Sequence, residues 1–102
     1  MSNANRVYAR LKCPRCHSDS EVEIEVELGH GGLLKEYRVG DEVEWDPWHD
    51  EERGGRPKDG TTLKEGYVEC EVCHKDFFVK VFVKNDRIEK VEVDETRAGY
   101  IP

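Results

Sequence analysis

The residues best suited to chemistry lie in two copies of one short pattern, Cys13-Pro14-Arg15-Cys16-His17 and Cys70-Glu71-Val72-Cys73-His74. All four cysteines of the chain fall in these two runs, with two of its four histidines. A Cys-x-x-Cys-His run can attach c-type haem, whereas paired Cys-x-x-Cys runs build tetrahedral metal sites. Haem would need apolar helices around the ring, a second axial ligand and an oxidising compartment. Only His30 and His49 remain as distal ligands, and both sit in polar surroundings. Zinc asks for less: four soft or imidazole donors in a tetrahedron. Two Cys-x-x-Cys turns facing each other supply them.

Such turns must sit on something rigid, and the flanking residues are strand-like. Residues 21–28, EVEIEVEL, alternate without a break, with Val22, Ile24, Val26 and Leu28 on one face and Glu21, Glu23, Glu25 and Glu27 on the other. Unbroken period two is the pattern of a half-buried strand. Residues 6–12 place Val7, Ala9 and Leu11 on one side, and residues 77–84 place Phe77, Val79, Val81 and Val83 inward, with Phe78 and Phe82 on the second face. Asn85-Asp86 reads as a two-residue turn leading into a partner strand at 87–93. Residues 33–45 and 62–70 suit short strands, with a turn at Gly40-Asp41. No stretch has a convincing helical period. Residues 46–62, rich in charge, Gly and Pro, read as a surface loop inserted in the domain.

Each cysteine pair thus falls at the tip of a predicted hairpin, 6–28 and 65–93. In this the chain resembles the zinc-ribbon (rubredoxin-like) class, with CPRC as its first knuckle. The resemblance implies a mostly β fold: an antiparallel zinc ribbon elaborated with extra strands and a long loop between the knuckles. It implies one structural zinc ion held by Cys13, Cys16, Cys70 and Cys73. His17 or His74 in place of a cysteine, and iron in the same cage as in an electron carrier, are the alternatives. The residue after the second cysteine, often Gly in the class, is here His17 and His74, which raises the question of whether a left-handed backbone is needed there.

At 102 residues the chain is expected to form a single domain over 6–95, with 1–5 and 96–102 as flexible tails. Only 36% of residues are hydrophobic against 38% charged, a lean core of the kind small domains often reinforce with metal. The N-terminus lacks the apolar run of a secretory signal, and no stretch is long and apolar enough for a membrane span. A cytoplasmic location is therefore expected, where paired cysteines read as metal ligands rather than disulfides.

Function is less sharply written. Twenty-three acids against 16 bases give a net charge of −7, which works against phosphate backbones and towards a basic partner. The stripe Glu21, Glu23, Glu25 and Glu27 is either a solvated face paired with bases such as Arg10, Lys12, Lys80 or Lys84, or a recognition surface. In 44–52, Trp45 is expected to pack inward and Trp48 to cover the loop base; an exposed Trp48 would instead be an interface anchor. His49, flanked by Asp46 and Asp50, has the makings of a general base but no accompanying nucleophile. Four cysteine ligands leave no open metal position, so a structural metal and a non-enzymatic protein are expected. The favoured reading is a protein-binding module, with an inhibitor or immunity-type partner of a basic protein as its concrete form. A nucleic-acid-binding ribbon is the competing reading, and would show a basic face.

Overall fold

Alternating burial builds the sheet. The computed structural model describes residues 5–29 and 35–102, in six strands: β1 (Asn5–Lys12), β2 (Asp19–Val26), β3 (Glu36–Arg38), β4 (Thr62–Glu69), β5 (Asp76–Lys84) and β6 (Arg87–Val93). They form one curled sheet in the order β3-β1-β2-β4-β5-β6. Neighbours run antiparallel except β1 and β3, which pair in parallel from Arg6↔Glu36 to Tyr8↔Arg38. Val22, Ile24 and Val26 of β2 and Val79, Val81 and Val83 of β5 point into the curl and are buried, along with Val7, Val68 and Ile88. Glu21, Glu23, Glu25 and Glu27 face outward, as the period of two requires. The mostly β expectation therefore holds. Among the described residues helix is limited to single 3-10 turns at Glu51–Arg53 and Lys58–Gly60, and none is long and apolar enough to cross a membrane.

The parallel pair arises because the chain leaves β2 beside the start of β1 and re-enters as β3 on the other side of it. Asn5, almost completely buried, pins both ends of that hop: its amide donates to Leu28 O, and its carbonyl accepts from Lys35 N at 2.8 Å. His30 and residues 33–34 of the expected strand 33–45 lie outside the described residues. The remainder forms the short β3 and then turns at Val39-Gly40, with Asp41 N donating to Arg38 O. Segment 40–43 next hydrogen-bonds to the start of β6, through Gly40 N to Ile88 O, Ile88 N to Asp41 O and Val43 N to Asp86 O. These bonds lace the two edges of the sheet together.

Between β2 and β4 the contact is narrow. β2 and β4 pair only at Glu25↔Tyr67 and Val26↔Gly66. A Cβ on Gly66 would lie 2.4 Å from Ile24 Cγ2 and 2.9 Å from Val79 Cγ2, so only glycine admits β4 this close. Past this point a cavity of about 350 Å3 opens between the two strands, lined by Glu23, Glu25, Tyr67, Glu69, Glu71 and His74.

Candidate metal centre

The two hairpins end in matching knuckles. The β1–β2 ladder closes at Lys12↔Asp19 and the β4–β5 ladder at Glu69↔Asp76, leaving 13–18 and 70–75 as the tips. In the first, Cys13 N donates to Ser18 O and His17 N to Cys13 O, both at 2.8 Å. In the second, Cys70 N donates to Lys75 O at 2.8 Å and His74 N to Cys70 O at 2.9 Å. His17 and His74 both adopt left-handed backbone, with φ 65° and 60°. That answers the question the sequence raised: the position does need the conformation glycine favours, and two histidines occupy it with their side chains exposed.

The tips bring all four cysteines together. The Sγ atoms of Cys13, Cys16, Cys70 and Cys73 lie within 4.8 Å of one another. Cys13 Sγ is 3.9 Å from Cys73 Sγ, and Cys16 Sγ is 3.8 Å from Cys70 Sγ, with no disulfide among them. A tetrahedron of sulfurs about 2.3 Å from a central zinc has edges of about 3.8 Å. The cluster therefore has the size a bound metal requires. Cys13 and Cys70 are buried; Cys16 and Cys73 are half-buried.

Backbone groups are aimed at the sulfurs in the same way in both halves. Arg15 N lies 3.3 Å from Cys13 Sγ, and backbone N–H groups of Ser18, Val72 and Lys75 serve Cys16, Cys70 and Cys73. The Ser18 hydroxyl adds a bond to Cys16 Sγ at 3.1 Å. Hydrogen bonds from the Ser18 hydroxyl and backbone draw the Cys16 thiol down to about 6. At Cys70 burial opposes ionisation, but the N–H groups of Cys73 and Val72 outweigh it and the net shift is downward. Cys73 goes the other way, pushed up to about 11 by burial and then by the neighbouring sulfurs. Four sulfurs this close cannot all be charged against one another, and a cation in their midst resolves the conflict.

The other sequence-predicted residues lie apart from this centre. Among the described residues, the cysteines are the one group of metal-donor side chains close enough to share an ion, and neither knuckle histidine belongs to it. Glu21 pairs with Arg38 at 2.8 Å and Glu23 with Arg6, bases other than those the sequence suggested. Arg10 instead pairs with Asp19. Glu25, Glu27, Glu69 and Glu71 have no ion-pair partner among the described residues. Trp45 packs against the core as expected, its Nε1 donating to Asp86 Oδ1 at 2.8 Å. Trp48 does not cover the loop base: it is 87% exposed. Its loop is nevertheless ordered, because the buried Asp46 accepts from Trp48 N at 2.8 Å and meets His49 Nδ1 at 2.6 Å, while Asp46 N donates to Gly54 O.

Residues that sequence reasoning passed over surround the knuckles. Asp76, fully buried at the foot of the second knuckle, accepts from Tyr67 Oη and from the backbone N–H groups of Tyr100 and Ile101. Arg15 reaches it from the first knuckle. The one signal that marks Asp76 among the 23 acids of the chain is its place at the start of a strand with two apolar faces. Comparison of the chain with family models, with curated proteins and with solved structures returns no match.

Proposed function

We propose that the chain binds one zinc ion through Cys13, Cys16, Cys70 and Cys73, in a zinc-ribbon arrangement, and that this ion is structural. The observation that carries the reading is the sulfur cluster itself, with opposite edges of 3.8 and 3.9 Å. Zinc bound there supplies charge neutralisation and a cross-link between two hairpins whose own strands pair at only two positions. Four thiolates fill a tetrahedron and leave no place for substrate or water, which favours a structural over a catalytic role. Iron in the same cage is distinguished by elemental analysis and by its colour.

The domain so held together is, in this proposal, a non-enzymatic module that binds a basic protein. The acids with no ion-pair partner among the described residues support it: Glu25 and Glu69 face the opening between β2 and β4, Glu71 lies beside them, and the exposed Trp48 offers an aromatic anchor on an ordered loop. The test is binding of Arg- and Lys-rich peptides, and of DNA and RNA, over a series of salt concentrations. Peptide binding that is weakened by Glu25→Lys and by Trp48→Ala is expected. Appreciable affinity for nucleic acid at physiological salt, with none for the peptides, would overturn the reading in favour of a nucleic-acid-binding ribbon.

A further inference from the structure

The segment after β6 does not trail away from the sheet. Asp94 N donates to Phe78 O at 2.9 Å, and Asp94 Oδ1 accepts from Thr96 N at 3.0 Å, turning the chain back over β4 and β5. Arg97 then pairs with Glu65 and lies over the Phe78 ring, 4.1 Å from its centroid. The Tyr100 ring stands 5.6 Å from that of Phe78 and 6.0 Å from that of Tyr67. Beyond these rings the backbone meets Asp76. Tyr100 N donates to Oδ2 at 2.8 Å and Ile101 N to Oδ1 at 2.9 Å. Gly99 makes this approach possible, since a Cβ there would fall 2.3 Å from both Asp76 O and Asp76 Oδ1.

The same junction is gripped from the other knuckle. Arg15 sits between Cys13 and Cys16, and its own N–H donates to Cys13 Sγ. Its guanidinium crosses to the second hairpin, donating through Nη1 to Asp76 O at 2.9 Å and through Nη2 to Ile101 O. Knuckle one, the foot of knuckle two and the terminal segment are therefore tied at one point. For a metal to leave, a thiolate must let go and the two tips must part. The Arg15–Asp76–Ile101 tie opposes that motion whatever the metal contributes.

We infer that residues 94–101 form a strap that governs the rate of metal loss, with Arg15 and Asp76 as positioning residues of the four-cysteine centre; this rests on the metal-binding reading above. Groups that orient metal ligands from outside the ligand shell commonly affect metal retention by 10- to 100-fold. The test loads the full chain with zinc, confirms its stoichiometry by elemental analysis, and follows zinc transfer to an excess of a chromogenic chelator. Gly99→Ala lifts the strap without removing any polar partner, and Arg15→Ala removes the crossing guanidinium. Each is expected to release zinc at least about tenfold faster than the parent chain. Combined, they should fall short of the product of the two effects, because both open one tie. Ile88→Val, or another core variant matched to them in Tm and distant from the knuckles, controls for general loosening. Hydrogen exchange reads the strap without reference to metal: the Tyr100 and Ile101 amides should be protected in the parent and lose protection in Gly99→Ala. A full chain that holds no metal overturns the metal reading and this inference with it. A chain that holds zinc but releases it from both variants no faster than from the matched core variant overturns the strap alone, as does fast exchange of those two amides in the parent.

Discussion

Asp86 occupies the second position of the β5–β6 turn, where Asn85 and Asp86 have φ of 51° and 68°, the paired positive values of a type I′ turn. From there its carboxylate accepts from Trp45 Nε1 at 2.8 Å and from Arg56 Nε and Nη2, at 2.8 and 3.2 Å. The loop carrying Trp48 is thus pinned at both ends to a hairpin turn. The Arg56 hydrogen bonds, followed by that from Trp45, hold the Asp86 carboxyl below its ordinary range. A depressed folded value means the carboxylate stabilises the fold above the unfolded pKa of about 3.9, and that this contribution fades as pH falls through the folded value. Asp86→Asn is accordingly expected to be less stable than the parent at pH 7, because it weakens the bonds to Arg56 and Trp45. The gap should stay constant down to about pH 5 and narrow below about pH 4, as measured by urea denaturation at a series of pH values. At the proposed metal centre, Cys70→Ser removes a buried sulfur from the cluster. Because structural zinc binding and folding share one free energy, the variant should lose most of its β-sheet circular dichroism. A variant that remains folded and keeps its metal would contradict the assignment of Cys70.

Among the elements, β4 joins the two hairpins through Gly66, and the fit there is tight enough to test. Gly66→Ala would place a methyl against Ile24 and Val79, and overpacking of this kind costs about 1–3 kcal/mol. The expected result is a lower Tm with the sulfur cluster still able to take up metal, since the tips lie beyond the β2–β4 pairs. Strands of this kind are legible in the amino-acid sequence: alternation over 6–12, 21–28, 77–84 and 87–93 reproduces β1, β2, β5 and β6 to within a few residues, because one buried face imposes period two. The cysteine tips are legible for a second reason, since metal-ligand spacing is fixed by coordination geometry. The parallel pairing of β3, a short strand within the expected 33–45, is not, because it depends on a hop held by Asn5, a residue with nothing in its local sequence to mark it. The Arg15–Asp76–Ile101 tie is equally hidden: its members are far apart in the chain, and charged residues make up 38% of the composition. The order of the Trp48 loop is hidden too, because it is fixed by Asp46 and Asp86 rather than by any run of apolar residues.

At the scale of the whole molecule, few hydrophobic residues and a net charge of −7 leave the fold dependent on cross-links between its halves. The halves meet at a two-residue strand pairing, at the bonds from 40–43 and Trp45 to the β5–β6 hairpin, in a shared core, at the strap and at the sulfur cluster. Removing a metal from the proposed site would open the last of these and leave four crowded sulfurs with no cation among them. Chelator is therefore expected to lower Tm sharply, and re-addition of zinc to restore it. The excess of acid also predicts that any basic partner binds more weakly as salt rises, because surface charges are screened beyond a Debye length of about 8 Å at physiological ionic strength. Both expectations depend on the ion being there. The most direct test of the central claim is elemental analysis of the purified full chain combined with thiol titration before and after denaturation. One zinc per chain, with four thiols shielded in the native protein and all four released on denaturation in chelator, is the predicted result. A chain free of metal whose four cysteines react at once in the native state would contradict it.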